Sequence, residues 1–354
     1  MIKHNFNAGP SILPKEVIIE ASKAINELND IGLSLLEISH RSKEFVSIMN
    51  EACSLVLEVT DLKNKGYKAL FLQGGASLQF LMVAYNFLKI KAGYINTGTW
   101  SEKAINEAKL FGQVEEISSS KDKNFNYIPK KIKIDGKFDY IHLTTNNTMF
   151  GSQFHHLPKF NSNLIADMSS DIFSRTIDYS RFDLFYAGAQ KNMGPAGTTL
   201  VVIKESFLSK IKDNIPSMLN YKIHVEKESM FNTPPVFSIY TAMLNLRWIK
   251  NKGGIKNLEN LNKAKSKLIY DEIDTNSKFV GFAKKEDRSL MNVTFNLSNP
   301  NESNIFDKIC EENNIVGIKG HRSVGGYRAS IYNAMTIESV KTLVDSMKKF
   351  ENNN

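Results

Sequence analysis

The sequence predicts an α/β protein whose larger part is built on a mixed, mostly parallel sheet, with a smaller α+β unit joined to it. Three observations lead there. Short apolar runs alternate with turns and helical stretches from residue 69 to residue 203, the spacing of strands linked by helices. The pattern changes after Thr233-Pro234-Pro235, where long helices and then separate strands and helices take over. Finally, 354 residues with 42% hydrophobic content can bury two cores.

In chain order, Phe45, Ile48, Met49, Ala52 and Leu55 recur at helical spacing from Lys43 onward, and Ala69-Leu-Phe-Leu72 reads as a buried strand. The small-residue turn Gly74-Gly75-Ala76-Ser77 follows, and Leu78, Phe80, Leu81, Ala84 and Leu88 resume a helical period. Further strands are expected at Tyr140–Leu143, Leu164–Ala166, Leu184–Ala187 and Thr199–Ile203. Beyond the proline break, 236–250 and 255–270 read as helices parted by Gly253-Gly254. The second unit has strand candidates at 291–295 and 328–331 and helix candidates at 305–313 and 337–350. No repeat or low-complexity segment stands out apart from the polar Asn352-Asn353-Asn354 tail.

Bulk properties remove several function classes. The N-terminus lacks a charged region followed by an apolar stretch, and no segment approaches the roughly 20 apolar residues that span a bilayer. A soluble, cytoplasmic protein that does not engage a membrane is expected. Its two cysteines, Cys53 and Cys310, are far apart and lack neighbours at metal-ligand spacing, so buried free thiols are expected, with no disulfide and no metal site. A net charge of +8 raises the question of nucleic acid, but the densest basic run, Lys121, Lys123, Lys130, Lys131 and Lys133, sits among polar turn residues and reads as solvated surface. No nucleic-acid partner is expected; a positive field suits the collection of small anions.

The chemistry concentrates in Tyr186-Ala-Gly-Ala-Gln-Lys-Asn-Met-Gly-Pro-Ala-Gly197, where Lys191 stands among small residues directly after an apolar strand. A desolvated lysine amine is an effective nucleophile toward carbonyls, and small neighbours leave room for a cofactor. Alone, this lysine reads first as a solvated group in a glycine-rich loop. Asp167, which ends another apolar run, changes the balance. An acid at a strand end can merely cap a helix, but a pyridoxal ring needs a carboxylate against its pyridinium nitrogen. The turn at Gly74–Ser77 then gains a purpose, since N–H groups at a helix start favour a phosphate.

The segment Ala187–Gly197 resembles the cofactor-lysine signature of the phosphoserine aminotransferase family. In the same order along the chain, Phe6–Pro10, Glu37–Arg41, Ala166–Ser170, Ser229–Pro235 and Lys319–Ala334 resemble that family's other landmarks. The resemblance implies the aspartate-aminotransferase-like, fold type I architecture of pyridoxal-phosphate-dependent transferases, with residues 16–255 as the large domain and 1–15 with 256–354 as the small one. It also implies a homodimer with shared active sites. The expected reaction takes the amino group of glutamate to 3-phosphohydroxypyruvate, giving O-phosphoserine and 2-oxoglutarate for serine biosynthesis. A phosphohydroxythreonine of the pyridoxine pathway is a related candidate substrate.

Roles follow from the same resemblance. Lys191 holds pyridoxal 5'-phosphate covalently and Asp167 pairs with its ring nitrogen. Trp100 stacks on the ring, Thr148 and Gln190 hydrogen-bond it, and Ala76 and Ser77 offer backbone N–H groups to its phosphate. Asn232 and Thr233 complete that phosphate site from the partner subunit. His40, Arg41, His321, Arg322 and Arg328 bind the substrate's anionic groups, a task for which arginine is suited by its two-pronged donors. Ser77 stands where many bacterial relatives carry arginine, Asn147 where glutamate is frequent and Ala8 where some have serine, departures that bear on the phosphate pocket. Two rivals remain: a desulfurase or lyase of the same fold, which would need a mobile catalytic cysteine, and a non-catalytic anion binder, which would not need both Lys191 and Asp167.

Overall fold

The computed structural model describes residues 3–132, 134–322 and 324–352. Lys133 of the basic run, Ser323 of the 319–334 motif, and the ends at 1–2 and 353–354 lie outside them. The chain opens with β1 (His4–Asn5), α1 (Lys15–Asn26) and α2 (Lys43–Val59). There follow β2 (Tyr67–Leu72), α3 (Gly75–Phe87), β3 (Lys91–Asn96), α4 (Thr99–Ala108), β4 (Gln113–Ser119), β5 (Tyr140–Thr144), β6 (Leu164–Asp167), β7 (Leu184–Gly188) and β8 (Thr199–Lys204). The remainder holds α5 (Tyr221–Glu226), α6 (Val236–Asn251), α7 (Gly254–Thr275), β9 (Phe279–Gly281), β10 (Asn292–Leu297), α8 (Ser303–Glu312), β11 (Ile315–Val316), β12 (Tyr327–Ser330) and α9 (Ile337–Asn352).

The main sheet has seven strands in the order β2-β8-β7-β6-β5-β3-β4. Its pairings are parallel except at β8, which runs against both β7 and β2. The expected mixed, mostly parallel sheet is therefore present. Strands β5, β6 and β7 are buried along their whole length because helices cover both faces, the usual setting of parallel strands. Along β6, Leu164 and Ala166 join the apolar cluster shared with α1, α2 and α6, while Ile165 joins the cluster shared with α3 and α4. A third cluster gathers Phe6, Ile269, Phe279, Phe295, Phe306 and Phe350. The long helix α7 serves two cores, with Ile255 and Leu258 in the first cluster and Ile269 and Ile273 in the third.

The five apolar runs read as strands between residues 69 and 203 are strands, extended by a residue or two, whereas the two later candidates are shifted by a residue: β10 begins at Asn292, not Met291, and β12 ends at Ser330, not Ile331. The short strands β1, β9 and β11 went unread, and so did the longer strands β3 and β4 and helices α1 and α4, which carry weaker signals. Strand β3 is Lys91-Ala-Gly-Tyr-Ile-Asn96, polar at both ends and interrupted by Gly93, where a Cβ would come within 3.3 Å of Ile117 and Phe138. Strand β4 is a polar edge, so packing rather than propensity makes it a strand. Helix α1 buries only Val17, Ala21 and Ala24 and exposes Ile18, Ile19 and Ile25, and α4 buries only Ser101, Ala104, Ile105 and Ala108, so neither shows a long apolar stripe.

Because β2 runs alongside β7 in direction, β2, β3, β5, β6 and β7 all end at the same edge of the sheet. Open α/β sheets hold their ligands at that edge. The turns leaving it carry Gly74–Ser77, Trp100, Thr148, Asp167 and Lys191.

Candidate active site

Lys191 follows β7 by a short turn, and its Nζ donates to Thr148 Oγ1 at 2.8 Å. Only 9% of the residue is exposed. Burial presses the amine down to about 8, and the nearby Arg328 cation adds to the effect, while the Asp167 carboxylate opposes it. The turn is held from below by the N-terminal strand region, Ser11 N donating to Gln190 O at 3.0 Å and Ser11 Oγ to Lys191 O at 2.6 Å.

Asp167 ends β6, beside Thr144 of β5 and Tyr186 of β7. Burial pushes its carboxyl above the usual range, against which two hydrogen bonds from Ser169 and the Lys191 charge act. Ser169 N–H and Oγ both donate to Oδ1, at 2.9 and 2.6 Å.

The third wall is the start of α3. Gly74 has φ 91°, and a Cβ there would run into the Leu78 side chain, so the turn requires glycine. No side chain caps the helix, which leaves its first N–H groups for an anion. Trp100 stands in the first turn of α4, with the Lys191 amine 5.8 Å from its ring centre and the Lys103 amine 4.7 Å. Asn147 fixes this neighbourhood: its side-chain amide donates to Thr97 O, and its Oδ1 accepts from Met149 N–H at 3.2 Å. Gly98 lies against that amide and leaves no room for a Cβ. The departure at Asn147 is thus a structural anchor between the Trp100 and Thr148 turns.

These groups line one cavity of about 130 Å³, formed by Gly75, Ala76, Ser77, Trp100, Thr144, Asn146, Thr148, Asp167, Ser169, Ser170, Gln190 and Lys191. Of the residues expected at the cofactor, Ala76, Ser77, Trp100, Thr148, Asp167, Gln190 and Lys191 are brought together. Arg328, on β12, reaches the rim through Nη1, which donates to Thr148 O at 3.4 Å. Asn232 and Thr233 lie outside this cavity and exposed; Thr233 O accepts from Gln73 at 2.7 Å, and Asn232 lines a neighbouring pocket with Phe71, Leu72 and Met218. His40, Arg41, His321 and Arg322 are also absent from its lining, and the last three are exposed. Sequence reasoning passed over Thr144, Asn146, Ser169 and Ser170, and gave Gly75 a use only as part of the Gly74–Ser77 turn. Ser169 and Ser170 stood in the quoted Ala166–Ser170 motif, but only Asp167 had a recognisable chemical task.

Neither cysteine lies in this cavity. Cys310 is buried, whereas Cys53 is partly exposed, and burial pushes both thiols up to about 12. A thiolate nucleophile is therefore disfavoured. Among the described residues no acidic, histidine or cysteine cluster could hold a metal ion, and no helix is long and apolar enough to cross a membrane.

A sheet edge that gathers a desolvated lysine, a buried carboxylate, an indole and an uncapped helix start is the layout of a cofactor-dependent group-transfer enzyme. The profile of the aminotransferase class-V family matches residues 3–343, and the chain belongs to that family. At full length it is similar to the phosphoserine aminotransferase of Flavobacterium johnsoniae, with 60% identity over 353 residues and 99% of each chain covered. The phosphoserine aminotransferase of Bacteroides fragilis is 52% identical, again with 99% of each chain covered. Among solved structures, phosphoserine aminotransferase from Bacillus circulans subsp. alkalophilus superposes with a TM-score of 0.97 at 42% identity, covering 99% of both chains. The PLP-bound phosphoserine aminotransferase from Trichomonas vaginalis gives 0.93 at 35% identity, covering 98% of this chain and 100% of that one.

Proposed function

We propose that this chain is a pyridoxal-phosphate-dependent aminotransferase that moves the amino group of glutamate to 3-phosphohydroxypyruvate, giving 2-oxoglutarate and O-phosphoserine in serine biosynthesis. The observation that carries this reading is the convergence of Lys191 and Asp167 on one cavity whose far wall is the uncapped start of α3. The residues fit the cofactor: the α3 N–H groups of Ala76 and Ser77 suit its phosphate, the Trp100 ring suits its flat face, and a buried carboxylate suits its ring nitrogen. Thr148 and Gln190 suit its remaining polar atoms.

When bound, the cofactor supplies the electron sink that makes the substrate α-proton acidic. Lys191 would hold it covalently, and the free Lys191 amine would be the base for that proton. An amine with its pKa near 8 is poised for the task at neutral pH, since it is neither permanently charged nor weakly basic. Thr148 Oγ1 accepts from Nζ and holds it beside the site of transfer. Asp167 keeps the ring nitrogen protonated, and Arg328 binds the α-carboxylate common to every substrate. His40, Arg41, His321 and Arg322 serve the distal phosphate or carboxylate.

The exposed positions of Asn232, Thr233, Arg41, His321 and Arg322 suit a homodimer in which neighbouring subunits complete each other's sites. Apolar surface supports this, with Leu36 62%, Met218 46% and Phe231 38% exposed. The separate Phe6 and Phe306 cluster supports a division into 16–255 and 1–15 with 256–354, with α7 contributing to both cores. The test is a reaction of purified protein with glutamate and 3-phosphohydroxypyruvate, followed by release of 2-oxoglutarate. Turnover with this pair above that with other keto acids is expected; none with any phosphorylated keto acid would overturn the assignment.

A further inference from the structure

We propose that Ser169 is a positioning residue for Asp167, selecting which carboxylate oxygen meets the cofactor and holding that carboxylate ionised. The inference rests on the reading of Asp167 given above. Ser169 Oγ accepts from the N–H of Gly188, at the end of β7, at 3.2 Å. A hydroxyl has one proton to give, and with Gly188 on its acceptor side that proton goes to Asp167 Oδ1 at 2.6 Å. The Ser169 N–H goes to the same oxygen at 2.9 Å.

Oδ1 is thereby committed, and among the described residues no donor reaches Oδ2, although Asp167 lines the cavity. The carboxylate cannot turn without breaking both bonds, so Oδ2 is the oxygen offered to the ring nitrogen. The bridge also ties β6 to β7, fixing the carboxylate relative to the turn that carries Lys191. The charged and titratable groups facing Asp167 are Lys191, which favours its ionisation, Asp171, which opposes it, and Tyr186 of β7, kept neutral by burial. Burial is the largest force against ionisation, and the Ser169 bonds are the largest force for it.

The test measures cofactor binding to the cofactor-free protein by fluorescence titration from pH 5 to 8. The variants are Ser169→Ala, Ser169→Thr, Asp167→Asn and the Ser169→Ala/Asp167→Asn double. Losing one bond to a charged group should raise the Kd of Ser169→Ala roughly ten- to a hundredfold. Because only ionised Asp167 pairs with a protonated ring nitrogen, and loss of a donor raises its pKa, the pH below which binding fails should move upward. Ser169→Thr, which keeps the hydroxyl, should behave as the parent, and the double variant should bind no more weakly than Asp167→Asn. A lower Tm for Ser169→Ala with an unmoved binding midpoint, or additive losses in the double variant, would overturn the inference. If Asp167→Asn itself binds like the parent, the reading of Asp167 fails instead. Should Ser169→Ala not fold, Ser169→Cys, with similar volume and a weaker donor, takes its place with the same outcomes.

Discussion

Arg328→Leu should impair both half-reactions equally, and the structure says by how much. The Arg328 guanidinium is partly buried on β12; among the described residues it meets no carboxylate, and its Nε is buried without a partner. A desolvated cation left so incompletely paired is ready for an anion. A two-pronged carboxylate contact consists of two charge-assisted hydrogen bonds, each worth about 1.5–3 kcal/mol, so its loss should lower kcat/KM by roughly 10²- to 10⁴-fold. The assay is stopped-flow measurement of each half-reaction alone, with glutamate and then with O-phosphoserine as amino donor. Both donors carry the same α-carboxylate, so both curves should fall together. The Arg328 charge also holds the Lys191 amine down, so the Lys191 titration should move upward in the variant. Loss confined to one donor, or an unmoved Lys191 titration, would refute the placing of Arg328 at the α-carboxylate.

Arg322→Leu and Arg41→Leu should raise KM for phosphorylated substrates more than for glutamate, because a dianion loses more from each missing cation; equal effects in half-reaction kinetics would count against the distal assignment. Folding depresses the Lys191 pKa from 10.5 to about 8, so between those values the unfolded chain binds more protons and the stability of the cofactor-free protein should rise with pH. Denaturant titrations should find that rise, at most about 3 kcal/mol, reduced in Lys191→Met. Cys53→Ala and Cys310→Ala should each leave turnover within about twofold, since neither thiol is in the cavity or readily ionised; loss of chemistry in a folded variant would revive the desulfurase-like alternative.

The parts of this architecture legible in the sequence are those whose residues share one physical use. The small-residue turn at Gly74, an apolar run ending in Asp167 and a lysine framed by small residues each have an ordinary reading alone, and they became legible in combination, because one cofactor gives all three a use. Strands β3 and β4 were not legible, since β3 contains Gly93 and β4 is polar; neighbours impose their conformation. Ser169 lay within a quoted motif, yet its role depends on the Gly188 N–H, a contact across nineteen positions of chain that no local pattern announces. The resemblance named Asn232, Thr233, His40, Arg41, His321 and Arg322, but none lines the cavity of the single chain. In the proposed homodimer Asn232 and Thr233 would come from the neighbouring subunit, which neither periodicity nor one chain's packing encodes.

The central claim is that Lys191 carries the cofactor. Purified protein supplied with pyridoxal phosphate should show a visible absorbance band that borohydride removes, and peptide mapping should then find the label on the peptide containing Lys191 and nowhere else. Lys191→Ala should fold, still bind cofactor reversibly, lose the reducible band and fail to transaminate. A label on a different lysine, or a Lys191→Ala protein that turns over at the parent's rate, would contradict the account.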